Sequence, residues 1–337
     1  GVDYCDWGGR STHFEPIPDT WHKMTDILLF WAAKGVDGFR CDMAEMVPHE
    51  FWKYATEKVK AQYPHIVFIG EVYDPNQYRT YLAAGFDYLY DKVGMYDCLR
   101  DVMCGHRPAS DITRQWQATD DIREHVLYFL ENHDEQRIAS DFFCGNMQKG
   151  IPALIVSALF QRNPVMIYAG QEFGERGMDS EGFSGVDGRS TIFDYWSVDA
   201  IRKGFFERSE LSAEQLQLEK NYRTILTLCN SEKAVREGKT FDLTYANEAN
   251  ESFDSSRLFA FLRSSGNTTL LIVANFGETE AHVRVNIPAH AFDYMELTEG
   301  KKDMVDLLSG DQQTAILQQD SPVEMVVAGL SGRIYKF

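Results

Sequence analysis

The sequence predicts an α/β fold of the barrel type followed by an all-β sandwich, and three observations carry that expectation. Short apolar strands alternate with helical segments along the first part of the chain, the pattern of parallel strand-helix units whose strands are buried on both faces. Carboxylates recur where those strands end, at Asp42, Glu71 and Asp134, and in a (β/α)8 barrel the C-terminal strand ends form the active-site face. After the amphipathic segment Leu216 to Cys229 the chain switches to alternating strands broken by turn clusters such as SSGN and NFGE, as antiparallel sheets do. Neither a GxGxxG nor a Walker-type loop is present, which favours a barrel over a doubly wound nucleotide-binding sheet.

Each element has a local warrant. WHKMTDILLFWAAK, residues 21–34, sets Met24, Ile27, Leu28 and Trp31 at helical spacing behind the start signals Pro18 and Asp19, and Gly35 closes the helix. Val36 to Cys41 reads as a short apolar strand. Pro48 then introduces a helix, HEFWKYATEKVKAQY, which Pro64 ends. HIVFIGEV, 65–72, is the next strand, Asn76 to Ala84 the next helix and FDYLYD, 86–91, the third strand. An irregular helical stretch leads to HVLYFLENHD as a strand, GIPALIVSALFQ as a helix and PVMIYAG as the fifth strand. The span from Glu172 to Arg208, rich in Gly, Asp and Ser, is predicted as a long loop region. Beyond it RLFAFLR, TTLLIVANF, AHVRVNIP, VEMVVAGL and RIYKF form the β module. The expected division is a catalytic part over 1–232 and a β-sandwich domain over 233–337.

Composition bounds the function. At 337 residues and 44% hydrophobic content the chain can bury a large core. Its 33 Lys and Arg against 51 Asp and Glu give a formal charge of −18, which argues against nucleic acid or an anionic membrane as partner and leaves a neutral substrate compatible. Aromatic residues, 13% of the chain, supply stacking faces that a sugar cleft uses. No run of 18 apolar residues offers a membrane-spanning helix. Cys5, Cys41, Cys98, Cys104, Cys144 and Cys229 are scattered without a CxxC pair, so free thiols are expected.

Asp42 and Glu71 lie 29 residues apart, one strand-helix repeat, so they are expected to end neighbouring strands. Two carboxyls on adjacent strand ends suit cleavage of a glycosidic bond: one, protonated, releases the leaving oxygen, and the other, ionised, attacks or activates water. Asp134, two repeats further on, can stabilise positive charge in an oxocarbenium-like transition state. Helix capping or salt bridging explains any one of the three alone. Their recurrence at these spacings, with Arg40 and His133 beside them, favours a site.

These residues also carry a resemblance. GFRCD resembles the nucleophile strand of the α-amylase family of glycoside hydrolases, IGEV its general acid/base strand, FLENHD its third-carboxylate strand and NPVMIYAGQE its last barrel strand. The resemblance implies the second part of a (β/α)8 TIM barrel, about strands 4 to 8, and the family's C-terminal sandwich. It makes Asp42 the nucleophile of a retaining α-glycosidase acting on starch- or maltodextrin-type glucans, Glu71 the acid/base and Asp134 a ligand of the distorted sugar. Arg40 would hold Asp42 ionised, and His133 and Arg137 would contact substrate. Transglycosylation by the same residues, or a non-catalytic amylase-like binding or scaffold role, are the alternatives. Where many members carry Lys-His, this chain has Glu45 and Met46. The family's motif ending in Asn-His and its inserted domain are not found upstream of GFRCD. A missing N-terminal barrel segment is therefore an expected partner. No metal or cofactor is assigned within this segment, calcium being possible in the full-length protein.

Overall fold

The structure, a computed structural model, describes residues 13–178, 186–190 and 198–337. They form two compact bodies. One holds the residues up to Met95 together with Asp121–Tyr128, the other Tyr96–Asp120 and Phe129–Phe337. The boundary between these bodies falls within the strand-helix part.

The first body contains α1 (Asp19–Ala32), β1 (Gly38–Cys41), α2 (His49–Gln62), β2 (Val67–Gly70), α3 (Tyr78–Ala83) and β3 (Tyr88–Tyr90). It also takes in the first three residues of β4 (Val126–Phe129). The strands are parallel and follow chain order, with Cys41 level with Gly70, Ile69 with Tyr88 and Leu89 with Val126. Each is shorter than the apolar run that predicted it, because pairing stops where the chain turns into a helix or loop. Every residue of β4 is buried, as a parallel strand covered on both faces should be.

β1 departs from that rule, with only Cys41 buried. It is an edge strand, and no described strand pairs with its outer side. The helix α1 forms where its spacing predicts, yet most of its apolar face finds no cover among the described residues. Only Thr25 and Ala32 are buried, while Met24, Ile27, Phe30 and Trp31 remain 45%, 49%, 55% and 51% exposed. Periodicity correctly marked the helix; the partner that would cover this face is not among the described residues.

The second body contains α4 (Asp97–Met103), α5 (Asp111–Ala118), the end of β4, α6 (Gly150–Leu159), β5 (Val165–Met166), α7 (Asp199–Phe205), α8 (Ala213–Ser231) and α9 (Lys233–Arg236). All ten residues of α6 are buried. The helix α8 opens with a capping box, Ser212 accepting from the Gln215 amide and Gln215 accepting from the Ser212 amide. PVMIYAG gives only a two-residue strand. The span 172–208, predicted as loop, contains α7, seven residues with Asp199 in its first turn and Arg202 and Lys203 in its last, charges that complement the helix dipole.

The β module follows as β6 (Lys239–Asp242), β7 (Leu258–Ser265), β8 (Thr268–Asn275), β9 (Ala281–Asn286), α10 (Ala289–Met295), β10 (Gly300–Asp306), β11 (Gln312–Leu317), β12 (Pro322–Val327) and β13 (Ser331–Lys336). Six strands make one sheet in the order β11-β10-β13-β8-β7-β6, and β12 pairs with β9 in a second. Leu271 and Val273 from the first meet Val283, Val285, Val323 and Met325 from the second in one core, the layered packing of a sandwich.

This module is tied to the helices before it. The fully buried Arg263 donates to the carbonyls of Leu159 at 2.9 Å and Val235 at 2.6 Å. Asp242 accepts from Thr113 Oγ1 at 2.6 Å and Trp116 Nε1 at 2.8 Å. Buried polar groups need such partners, and these partners place the module in the same body as α5 and α6.

Cys41, Cys98, Cys104, Cys144 and Cys229 are free thiols, while Cys5 and the opening CDWGG lie outside the described residues. No described helix is long and apolar enough to cross a membrane.

Candidate active site

The predicted site residues fall into two groups, one in each body. In the first, β1 and β2 run parallel with Cys41 level with Gly70, so the next residue of each chain, Asp42 and Glu71, leaves the sheet at the same height. The Glu71 amide donates to the Cys41 carbonyl at 3.1 Å and extends the ladder by one bond.

Arg40 links the two carboxylates. Its Nη1 donates to Asp42 Oδ1 at 2.5 Å and its Nη2 stands 3.0 Å from Glu71 Oε1. Burial works against the guanidinium charge, but hydrogen bonds to Asp42 and Tyr90 and the charge of Glu71 outweigh it and raise the pKa of Arg40. The Tyr90 ring lies beneath the same group, 5.6 Å away. Arg40 therefore stays charged, and the cost of placing it on a strand is offset by the anions it holds.

The carboxylates sit in different environments. Asp42 is 70% exposed, whereas Glu71 is 7% exposed. Beyond its contact with Arg40, Glu71 accepts from the Met43 amide at 2.7 Å and from Tyr73 Oη at 3.0 Å. Met43 reaches it because its backbone is left-handed, φ 43°, an uncommon conformation for a residue with a Cβ and one that marks local constraint. Cys41 alternates away from the site and is buried, and burial pushes its thiol up to about 12. Such a thiol is inert as a nucleophile.

The second group lies past β4. Asp134 was expected at a strand end; β4 stops at Phe129, and Asp134 stands in a turn beyond it. Asn132 Oδ1 shapes that turn by accepting from the Asp134 amide at 2.9 Å and the Glu135 amide at 2.8 Å. His133 Nε2 lies 3.2 Å from Asp134 Oδ2; Asp134 is exposed and His133 half-buried.

Arg137 does not fit the expected role of substrate ligand. It is 1% exposed, with Nη1 on Glu131 Oε2 at 2.7 Å, Nη2 on the Ala169 carbonyl at 2.9 Å, Nε on Ser190 Oγ at 3.0 Å and the Tyr168 ring 4.1 Å away. Its donors are used inside the protein, so it clamps the loop. Glu131 also accepts from the Ile138 amide at 2.8 Å. Burial pushes the Glu131 carboxyl up, and the Arg137 charge pulls it back without cancelling the shift. Arg137→Met alone is expected to destabilise the protein by about 3–5 kcal/mol, because it leaves a buried carboxylate without its cation. The joint replacement Glu131→Leu with Arg137→Met is expected to be much milder. Urea unfolding of the two variants measures the difference.

Sequence reasoning missed Tyr73, Tyr90 and Glu131, and marked Glu45 only as a departure from the family's basic residue. Tyr73 follows Glu71 at the two-residue spacing of one strand face, and Glu131 is inside FLENHD, so both had a signal. Tyr90 had none, and Glu45 stood out without a role, since what each does depends on partners from other elements. Among the described residues, no group of three or more His, Cys, Asp or Glu side chains is arranged to hold a metal ion. The calcium ion considered for a longer polypeptide has no ligand set there.

The sequence profile of the alpha-amylase catalytic domain matches residues 17–243. The chain belongs to the alpha-amylase family. It is 27% identical over 327 residues to alpha-amylase MalA of Haloarcula japonica, covering 95% of this chain and 41% of that protein. It is 22% identical over 303 residues to a cyclomaltodextrinase of Geobacillus thermopakistaniensis, covering 88% and 45%. The chain thus spans less than half the length of these curated relatives. Among solved structures it resembles the alpha-amylase of Geobacillus thermoleovorans complexed with acarbose, with a TM-score of 0.71 at 18% identity over 96% of this chain and 64% of that one. It also resembles AmyP in complex with maltose, with a TM-score of 0.70 at 15% identity over 95% and 68%. At such identities the likeness shows the fold: the second part of an amylase barrel with its following β domain.

Proposed function

We propose that this alpha-amylase-family segment carries the catalytic residues of a retaining α-glycosidase acting on starch- or maltodextrin-type glucans. The observation that supports this most is the Arg40 guanidinium touching both Asp42 and Glu71 at the ends of adjacent parallel strands. Retaining chemistry asks for two carboxyls about 5–5.5 Å apart, one able to attack and one able to exchange a proton.

In the first step an Asp42 oxygen bonds to the anomeric carbon as the glycosidic C–O bond breaks, and the Glu71 proton passes to the departing oxygen. The electron pair of the broken bond stays with that oxygen. In the second, the Glu71 carboxylate takes a proton from water, whose oxygen bonds to the anomeric carbon and releases Asp42. Two inversions leave the α configuration. Asp42 has the open face that attack requires. The Met43 amide and the Tyr73 hydroxyl, which donate to Glu71, and the Arg40 charge beside them stabilise the carboxylate it becomes as its proton leaves. The FLENHD motif assigns Asp134 and His133 to hydroxyls of the reacting sugar.

The test is the configuration of the first product. A polypeptide that completes the barrel, given maltoheptaose and followed by proton NMR, is expected to release α-anomeric sugar before mutarotation. β-Anomeric product would overturn the retaining assignment. Adding maltose separates hydrolysis from glycosyl transfer: longer oligosaccharides built on labelled maltose would mean that sugar, and not water, takes the second step.

A further inference from the structure

Glu45 occupies a position where many members of this family carry a basic residue, and the structure gives it a different task. Its Oε2 accepts from two successive backbone amides in the segment after β2, Tyr73 at 2.9 Å and Asp74 at 3.0 Å. Tyr73 in turn donates its hydroxyl to Glu71 Oε1 at 3.0 Å. Resting on the proposed glycosidase reading, we infer that Glu45 is a positioning residue that fixes the Tyr73 hydroxyl on the acid/base Glu71.

The support under Glu45 is rigid enough for this. It stands on a 3-10 turn, Ala44–Met46, held from two helices. The buried Tyr81 on α3 donates to the carbonyls of Glu45 at 3.1 Å and Val47 at 3.0 Å, and Trp52 Nε1 on α2 donates to that of Ala44 at 2.9 Å. The held segment is pinned at its other end, where Asp74 Oδ1 accepts from the Asn76 amide at 3.0 Å. One carboxylate that takes two amides forms charge-assisted hydrogen bonds and leaves Tyr73 little freedom to swing away. The same turn begins with Met43, whose amide reaches the other Glu71 oxygen at 2.7 Å. A single turn thus sets two of the donors that steady Glu71 as its proton departs.

This arrangement acts on leaving-group protonation, so its loss should depend on the leaving group. In a barrel-completing polypeptide, Glu45→Ala is expected to lower kcat on maltotriose about tenfold with KM within about twofold, the size of one hydrogen bond to a charged group. On α-glucosyl fluoride, whose fluoride departs with little proton assistance, the loss should stay below about threefold. Tyr73→Phe, which removes the hydroxyl and spares the amide contacts, should show the same selectivity. Glu45→Gln, which keeps an oxygen acceptor, should recover most of the Ala loss. Equal losses on both substrates, or a loss confined to KM, would overturn the inference.

Amide hydrogen exchange tests the contact without turnover. Tyr73 and Asp74 protection should fall at least about tenfold in Glu45→Ala, and unchanged protection would also overturn the inference. If the unaltered enzyme has no α-glycosidase activity on such glucans, the functional reading fails by itself while the exchange measurement still decides whether Glu45 holds the segment.

Discussion

Asp42→Asn in a polypeptide that completes the barrel is expected to reduce turnover of maltooligosaccharides by about 10⁴-fold or more, an increase of roughly 5.5 kcal/mol in the barrier. The substitution keeps the volume and a partner for Arg40 but removes the anion that bonds to the anomeric carbon, so the covalent route closes. Glu71→Gln is expected to fall by about 10²–10⁴-fold, the usual worth of general acid/base assistance, and to recover on substrates whose leaving group needs no proton. Two variants with opposite leaving-group behaviour separate the nucleophile from the acid/base. A 2-fluoro sugar that accumulates the covalent intermediate gives a direct check by peptide mass mapping. Label on a residue other than Asp42, or wild-type rates in Asp42→Asn, would sink the assignment.

Residues 1–337 by themselves are expected to be poorly soluble or inactive. In the first body α1 exposes Met24, Ile27, Phe30 and Trp31 along one stripe, and β1 presents an edge that no described strand pairs with. In the second, Phe205 and Phe206 on and after α7 are 72% and 85% exposed. Full burial of a large apolar side chain is worth about 1.5–3 kcal/mol, and half of that remains ungained at each position of the α1 stripe. The shortfall, roughly 3–6 kcal/mol, rivals the net stability of an ordinary domain, about 5–15 kcal/mol. An open parallel edge next to such a stripe invites association between chains. Light scattering and activity on maltoheptaose, compared between this segment and a polypeptide with the preceding barrel strands, test the expectation. Comparable soluble activity from the two would refute it. Ile27→Lys with Trp31→Lys should make the segment more soluble and the longer polypeptide less stable, because the same face would then be covered there.

Element types were easier to read than their ends. The apolar runs at 36–41, 65–72 and 86–91 each contain a strand because β-branched and aromatic residues favour a buried pleated sheet. The structure trims each of them, because a strand ends where its partner's ladder ends, and one run contains no information on its neighbour. The same limit explains α7 and α10, short helices whose local pattern is too brief to stand out, and Asp134, which the run HVLYFLENHD places on a strand and an Asn132-centred turn places on a loop.

The catalytic candidates were legible because their chemistry is local. An Arg two residues before an Asp on one strand, and a Glu one repeat later, already imply side chains that share one end of a parallel sheet. Their supports were not legible. Arg137 reads as a ligand beside Asp134 until the fold encloses it with Glu131, Ser190 and the Ala169 carbonyl. Glu45 reads as a departure until the segment after β2 delivers two amides to it.

What the sequence alone determined is the order of the main strands and helices, the switch to a β module and the placing of Arg40, Asp42 and Glu71 at one end of two adjacent strands, since periodicity and one-repeat spacing are properties of the chain itself. What only the tertiary structure decided is which charges are enclosed, which apolar faces stay uncovered and which backbone amides Glu45 holds. Those outcomes turn on contacts between residues far apart in the chain, where burial sets whether a charge becomes a clamp, a ligand or a nucleophile.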